Sequence, residues 1–418
     1  MRIIYIYLCV WLAAPVVYAQ NPLDELALKA TTVEELLNLG HLNIEAKRDD
    51  EAKRLFKAAE MKLKSPVEAR LGLAELRIQN SDLRRAKYVC RTLEKDFPKS
   101  PIASICFGRM WLRFDRSARA IENFEAVRGT GDVRSVLGLA KTYDYMNEYD
   151  KSIAFYKEAI EKGAGYEALL GLGLVLERQG DIANALKSVQ KAVDTEPNSP
   201  MSLYHLGRML KSGKQATEYV QKALRIRPDW ADAYGTLGEI LLMDDPEASV
   251  DIFKKAIGLE PDRGTFHIGL GTALYHLKKI DEARGELNRA LELVPNHVGA
   301  TQMLAEVELK SGNTERAIQL AEQAVQLSPN NADICFDTAL MFFKTRRYTQ
   351  ANAYFLRTLS MAPEKRDAKV YMGDIACERR MYDEGVRHYT EALGTKAGVG
   401  FTNLEIQARI KRCAPGGK

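Results

Sequence analysis

The sequence predicts an all-α solenoid of about eleven repeated antiparallel helix pairs, closed by a C-terminal capping helix. Three observations carry this. Residues 264–297 divide into two amphipathic segments, and their small residues Gly271, Ala283 and Ala290 return as Ala305, Ala317 and Ala324 after a shift of 34 residues. Pro295, Pro329 and Pro363 end three successive units at one phase, where proline cannot continue a helix. The turn inside a unit carries a stop and a start, as in Gln179-Gly180-Asp181 and Ser311-Gly312-Asn313. Glycine suits the left-handed C-terminal cap, and Asp or Asn suits the next N-cap.

The chain begins with Met1-Arg2 and an apolar run from Ile3 to Ala14, followed by Val17-Tyr18-Ala19. This pattern reads as a signal peptide over 1–19, cleaved after Ala19. The run is short for a helix crossing a bilayer, which needs about 20 residues. The chain is therefore expected to be exported, to a periplasm first and to the outside second. No acceptor sequon for N-glycosylation occurs, which agrees with a bacterial periplasm.

Residues 20–32 form an N-terminal segment with a short apolar helix, Leu23 to Ala30. Thr32 offers an N-cap, and Glu34-Glu35 suit a helix N-terminus. The array spans 33–397, with units starting near 33, 67, 101, 133, 166, 200, 231, 264, 298, 332 and 366. Unit six is three residues short between its helices, and unit seven lacks one there. Units three and four end in Gly129-Thr130-Gly131 and Gly163-Ala164-Gly165 rather than in proline, which reads as longer connections or sites of bending. Residues 398–418 supply a capping helix, Phe401 to Arg412, and a tail.

Charged residues make up 28% of the chain, yet the formal net charge is only +4, which does not suit a nucleic-acid binder. Six scattered histidines, no His-Glu-x-x-His and no Cys-x-x-Cys give no metal site, and no cofactor is expected. Gly269-x-Gly271 lacks a third glycine and a preceding strand, so the repeat phase accounts for it. Five cysteines lie beyond residue 19, an odd count that argues against a full disulfide framework. Cys90 with Cys106, and Cys377 with Cys413, join neighbouring helices in register. Free core thiols are the preferred reading of both pairs.

Leu270-Gly271, Ala283, Leu287, Ala290 and Pro295 resemble, position by position, the tetratricopeptide repeat family. The resemblance implies a right-handed superhelix that binds protein segments in a concave groove. It also implies that the first helix of each pair lines that groove, at its second, fifth, ninth and twelfth positions. Those positions nominate Arg109, Arg134, Leu137, Lys141, Leu170, Leu174, Tyr204, Arg208 and Lys211 as a basic, partly aliphatic stripe. Repeats seven to eleven turn acidic and aromatic there, with Glu306, Asp333, Phe336, Phe343 and Asp374. The Lys-Asn clamp of chaperone-binding members is not matched, because Leu137, Leu170 and Tyr204 stand at its asparagine positions.

The expected function is that of a non-enzymatic scaffold that binds a protein or peptide partner, an acidic segment suiting the arginines, and organises an envelope assembly. Contact with a membrane is expected only through the signal peptide or a membrane-bound partner. Self-association through an imperfectly capped end is a further expectation. The alternative reading is an accessory subunit of a polysaccharide synthesis or export complex.

Overall fold

The computed structural model describes residues 21–62, 67–80, 83–395 and 400–413. The expected signal peptide, 1–19, and the tail from Ala414 to Lys418 lie outside the described residues. Among the described residues there are 24 helices and no strand, an all-α solenoid of helix pairs. They divide into two compact units, one ending at Ala233 and one starting at Tyr234.

In the first unit, α1 (Pro22–Lys29) precedes the pairs α2 (Val33–Glu45) with α3 (Asp49–Lys62) and α4 (Val67–Gln79) with α5 (Leu83–Asp96). Next come α6 (Ile102–Arg113) with α7 (Ser117–Arg128), and α8 (Val133–Tyr145) with α9 (Tyr149–Glu161). The last are α10 (Tyr166–Arg178) with α11 (Ile182–Thr195), and α12 (Pro200–Leu210) with α13 (Gly213–Ile226). The boundary falls inside α14 (Ala231–Leu241), which pairs with α15 (Pro246–Leu259). The second unit continues with α16 (Gly264–His276) and α17 (Ile280–Leu293), then α18 (Val298–Lys310) and α19 (Thr314–Leu327). It ends with α20 (Ala332–Lys344) and α21 (Tyr348–Met361), α22 (Arg366–Glu378) and α23 (Tyr382–Leu393), and the capping helix α24 (Asn403–Cys413).

Local signals explain the ends. Thr32 and Glu35 form a reciprocal capping box at the start of α2. Asp181 caps α11 through the Asn184 amide, whereas Asn313 makes no cap bond and donates instead to Glu308 at 2.6 Å. Gly180 and Gly312 take the left-handed conformation, at φ +86° and +85°. Elsewhere Lys47, Asp115, Asn147, Lys278, Arg346 and Arg380 do so without glycine. The connections after units three and four, 129–132 and 162–165, are no longer than the proline-bearing ones at 260–263 and 294–297. Glycine replaces proline there without lengthening the turn.

The packing follows one rule. A large side chain from a second helix enters the contact between two successive first helices, and glycine makes room for it. Phe56 is fully buried between Gly40 and Gly72, and a Cβ on Gly40 would sit 2.6 Å from its ring. Phe124 lies in the same way between Gly108 and Gly138, and Phe253 between Gly238 and Gly269. Gly271 faces Leu287 of its own pair, where a Cβ would come within 2.8 Å. The two glycines of the Gly269-x-Gly271 sequence therefore serve two neighbouring contacts.

The cysteines correct the sequence reading. Cys90–Cys106 and Cys377–Cys413 are disulfides, each with Cα atoms 5.5 Å apart, and Cys335 is a buried free thiol. Cys90 stands one period after Phe56, and Cys106 one period after Gly72. The first disulfide thus fills the slot that a ring over a glycine fills elsewhere. The second joins α22 to the capping helix. It also explains Gly385, which stands where other repeats carry alanine: a Cβ there would lie 2.5 Å from the Cys377 sulfur and 2.8 Å from that of Cys413.

Gly108→Ala should lower stability by about 1–3 kcal/mol in urea denaturation, although Gly→Ala inside a helix ordinarily gains about 1 kcal/mol. A stabilised variant would show that Phe124 yields freely. Alkylation of the denatured chain before and after reduction, followed by intact-mass measurement, should reveal four additional thiols once reductant is added. An unchanged mass would exclude both disulfides.

Candidate interaction groove

The first helices α2, α4, α6, α8, α10 and α12 curve until α2 touches α12 and α1 touches α13. Six of the nominated residues, Arg109, Arg134, Leu137, Lys141, Leu170 and Leu174, line a half-open cavity of about 510 Å³ bounded by these helices. The other three do not. Tyr204 packs at a tilt against Trp230, with ring centroids 4.4 Å apart. Arg208 pairs with Glu177 at 2.6 Å. Lys211 falls beyond the end of α12, exposed and at φ +64°, because the shortened unit ends that helix at Leu210.

The aliphatic and the charged members play different parts. Leu137 and Leu170 are each 8% exposed and pack between neighbouring first helices. Leu174 remains partly exposed on the cavity wall. The cations are matched by carboxylates. Arg109 pairs with Glu75, Lys141 with Glu167 at 2.8 Å, and Arg134 with Asp132 at 2.5 Å and Glu68 at 3.7 Å. Arg178 on α10 pairs with Asp144 on α8. The expected positive stripe is therefore answered by carboxylates, from neighbouring first helices for Arg109 and Lys141 and from the helix's own cap for Arg134. An acidic segment would have to displace carboxylates already in place.

Two acids show how the ring is held. The ammonium of Lys141 pulls the Glu167 carboxyl down to about 2, against the effect of burial, and His41 and Arg109 act in the same sense. Glu45 behaves oppositely. Burial raises it to about 7, with the Glu167 charge adding, while hydrogen bonds from Ser199 and Tyr166 and the charge of Lys141 oppose the rise. Tyr166 Oη donates to Glu45 at 3.0 Å and Ser199 Oγ at 2.8 Å, so one side chain ties repeat one to the starts of α10 and α12. Burial pushes the His41 imidazole below its usual value, and the ring lies 3.6 Å from Glu75.

Several of these residues were within reach of the sequence. Glu75, Asp144, Glu167 and Glu177 stand at the same first-helix positions that nominated the cations. Glu45 does not, and its role depends on contacts 121 and 154 residues away.

In the second unit the nominated acids are also engaged. Glu306 meets Lys344 at 3.2 Å, Asp333 meets Lys365, and Asp374 meets Arg409 at 2.5 Å. Tyr371 gathers Phe343, Phe355 and Phe401 around it, with centroids 5.2, 5.7 and 5.4 Å away. Among the described residues, no group of three or more His, Cys, Asp or Glu is placed to hold a metal ion. No helix among them is long and apolar enough to cross a membrane.

Residues 137–200, 286–332 and 302–367 match one Tetratricopeptide repeat family, and residues 241–307 match another of the same description. The chain is similar to the anaphase-promoting complex subunit CDC16 of Saccharomyces cerevisiae, at 25% identity over 51% of this chain and 27% of that protein. It is also similar to the TPR repeat-containing protein MJ1428 of Methanocaldococcus jannaschii, at 22% identity over 67% and 53% of the two chains. It thus spans only a quarter to a half of the length of these relatives. The crystal structure of yeast Tom70 aligns over 91% of this chain and 95% of that one, at 14% identity and a TM-score of 0.48.

The Glu45 closure has a pH signature. Its native value lies above the ordinary 4.5, so the folded chain holds this proton more tightly than the unfolded chain. The contribution is complete below about pH 4.5 and is lost as pH rises through about 7, on the order of 1–3 kcal/mol. The difference in unfolding free energy between wild type and Glu45→Gln should change by that amount between pH 5 and pH 8. A constant difference would remove Glu45 from the closure.

Residues 137–200 and 241–367 thus match tetratricopeptide repeats, and helix pairs of the same kind continue on both sides of them.

Proposed function

We propose that the protein is an exported, non-enzymatic scaffold that holds a segment of a protein partner in the groove of repeats one to six and so organises an envelope assembly. Tetratricopeptide repeat proteins generally serve as protein-interaction scaffolds, and that general role is the starting point. The observation that carries the groove reading is the convergence of six first helices on one cavity. Its walls combine aliphatic side chains with ion pairs. Sites of about 300–1,000 Å³ with an apolar lining and a few placed polar groups are the usual form of a recognition pocket.

The paired charges favour a segment anchored by an apolar side chain against Leu112 and Leu174, with flanking groups of both signs meeting the ion pairs. Export is supported by the two disulfides, which persist in oxidising compartments. The apolar run from Ile3 to Ala14 agrees with it.

A photo-crosslinking residue at Leu174, on the cavity wall, should capture a partner in the native envelope. The same residue at Lys157, exposed on the second helix α9, should capture at least about tenfold less. Equal capture at both positions, or capture at Lys157 alone, would move the interaction to the convex face.

A further inference from the structure

The ring of repeats one to six closes at one seam, and this seam is built unlike the other contacts of repeat one. Toward repeat two, repeat one makes an apolar contact, flanked by the polar pairs Asp49 with Asn80 and Glu60 with Arg70. Ala52 and Phe56 are fully buried with Leu76, and Leu37, Ile44 and Leu73 pack against them. Toward repeats five and six, it makes single hydrogen bonds from polar side chains. Asn21 donates to the Ile226 carbonyl at 2.7 Å, and Asn38 donates to Glu196 at 2.6 Å. Glu45 accepts from Tyr166 and Ser199. Leu23 is the one buried residue of α1.

A net hydrogen bond contributes about 0.5–1.5 kcal/mol, because water replaces the lost partner when the contact opens. A well-filled apolar contact has no such substitute. Repeat one is thus fastened to repeat two by packing and to repeats five and six by bonds that water can replace. The cavity lies directly behind the second contact, with Ile44 and Glu45 in its wall.

We propose that repeat one with α1, residues 21–62, is a gate. It parts from α10, α12 and α13 at the polar seam while remaining joined to repeat two, and so opens the cavity sideways to a chain too long to enter it closed. The gate follows from the geometry of the seam. That a partner passes through it rests on the groove reading above.

The test needs no partner. In the full chain carrying Cys9→Ala and Cys335→Ala, Leu174→Cys places a single thiol on the cavity wall. A small methanethiosulfonate should label it readily, and a maleimide bearing a long polyethylene glycol only when the gate opens. Asn21→Ala with Asn38→Ala, which removes two of the seam's hydrogen bonds, should speed the bulky reagent about tenfold or more and leave the small one nearly unchanged. An unchanged bulky rate in a variant that keeps its helical circular dichroism would overturn the proposal.

Hydrogen exchange on the unmodified chain covers the case in which the seam variant does not fold. Residues 22–62 should exchange together and ahead of α6 to α11. Equal protection from α2 through α11 would also overturn the gate. Neither readout contains a partner, so a failed gate leaves the crosslinking test at Leu174 standing. An open gate without crosslinking at Leu174 would fault the groove reading instead.

Discussion

The structure depends on a single kind of contact, a bulky side chain from a second helix lodged against two first helices. At Phe56, Phe124 and Phe253 both first helices give way with glycine. The contact fixes the spacing between neighbours and carries the packing from one pair to the next. Because interiors are close-packed, one methyl group in such a slot is already too many. The substitutions in the slot are informative for the same reason. Cys90 and Cys106 occupy it as a covalent bond, and Tyr371 takes the glycine place in front of Phe355 and stacks on it at 5.7 Å.

A second layer of order lies on the inner faces. Successive first helices present opposite charges to each other at neighbouring positions, so Lys141 reaches Glu167 and Arg208 reaches Glu177. Partly exposed ion pairs of this kind contribute little stability one by one. Their effect is on the character of the groove. Where the cations already face carboxylates, each new pair with a partner costs an old one.

The helix pairs were legible because their signals are local and repeated. Thr32 with Glu35, Gly180 and the prolines at one phase each act within a few residues, and the small residues recur at a period that nothing but a repeat explains. The site was legible only in part. Arg109 and Lys141 were found by position, but their carboxylate partners stand at those positions too, and a list of cations alone made a paired surface look basic. The closure through Glu45, Ser199 and Asn21 depends on how much each pair turns relative to the last, summed over six pairs. No single motif encodes that sum. The disulfides fell between these cases. Register placed both pairs together, and the composition of the chain did not reveal that the thiols were joined.

The bond between Cys377 and Cys413 bears on how long the array can be. A stack of similar units has no intrinsic reason to stop, since the face that each pair offers to the next is also offered by the last pair to any other chain. Here Ile406 and Cys413 cover that face together with Tyr389 and Ala392, and the covering helix is tethered covalently across 36 residues of sequence. A non-covalent lid is in equilibrium with its absence, and each brief absence exposes a template for addition. A tethered lid returns before a stranger can arrive. Covering of the last pair is in this sense a matter of redox chemistry as much as of packing, since reduction of the Cys377–Cys413 bond would leave the lid held by packing alone.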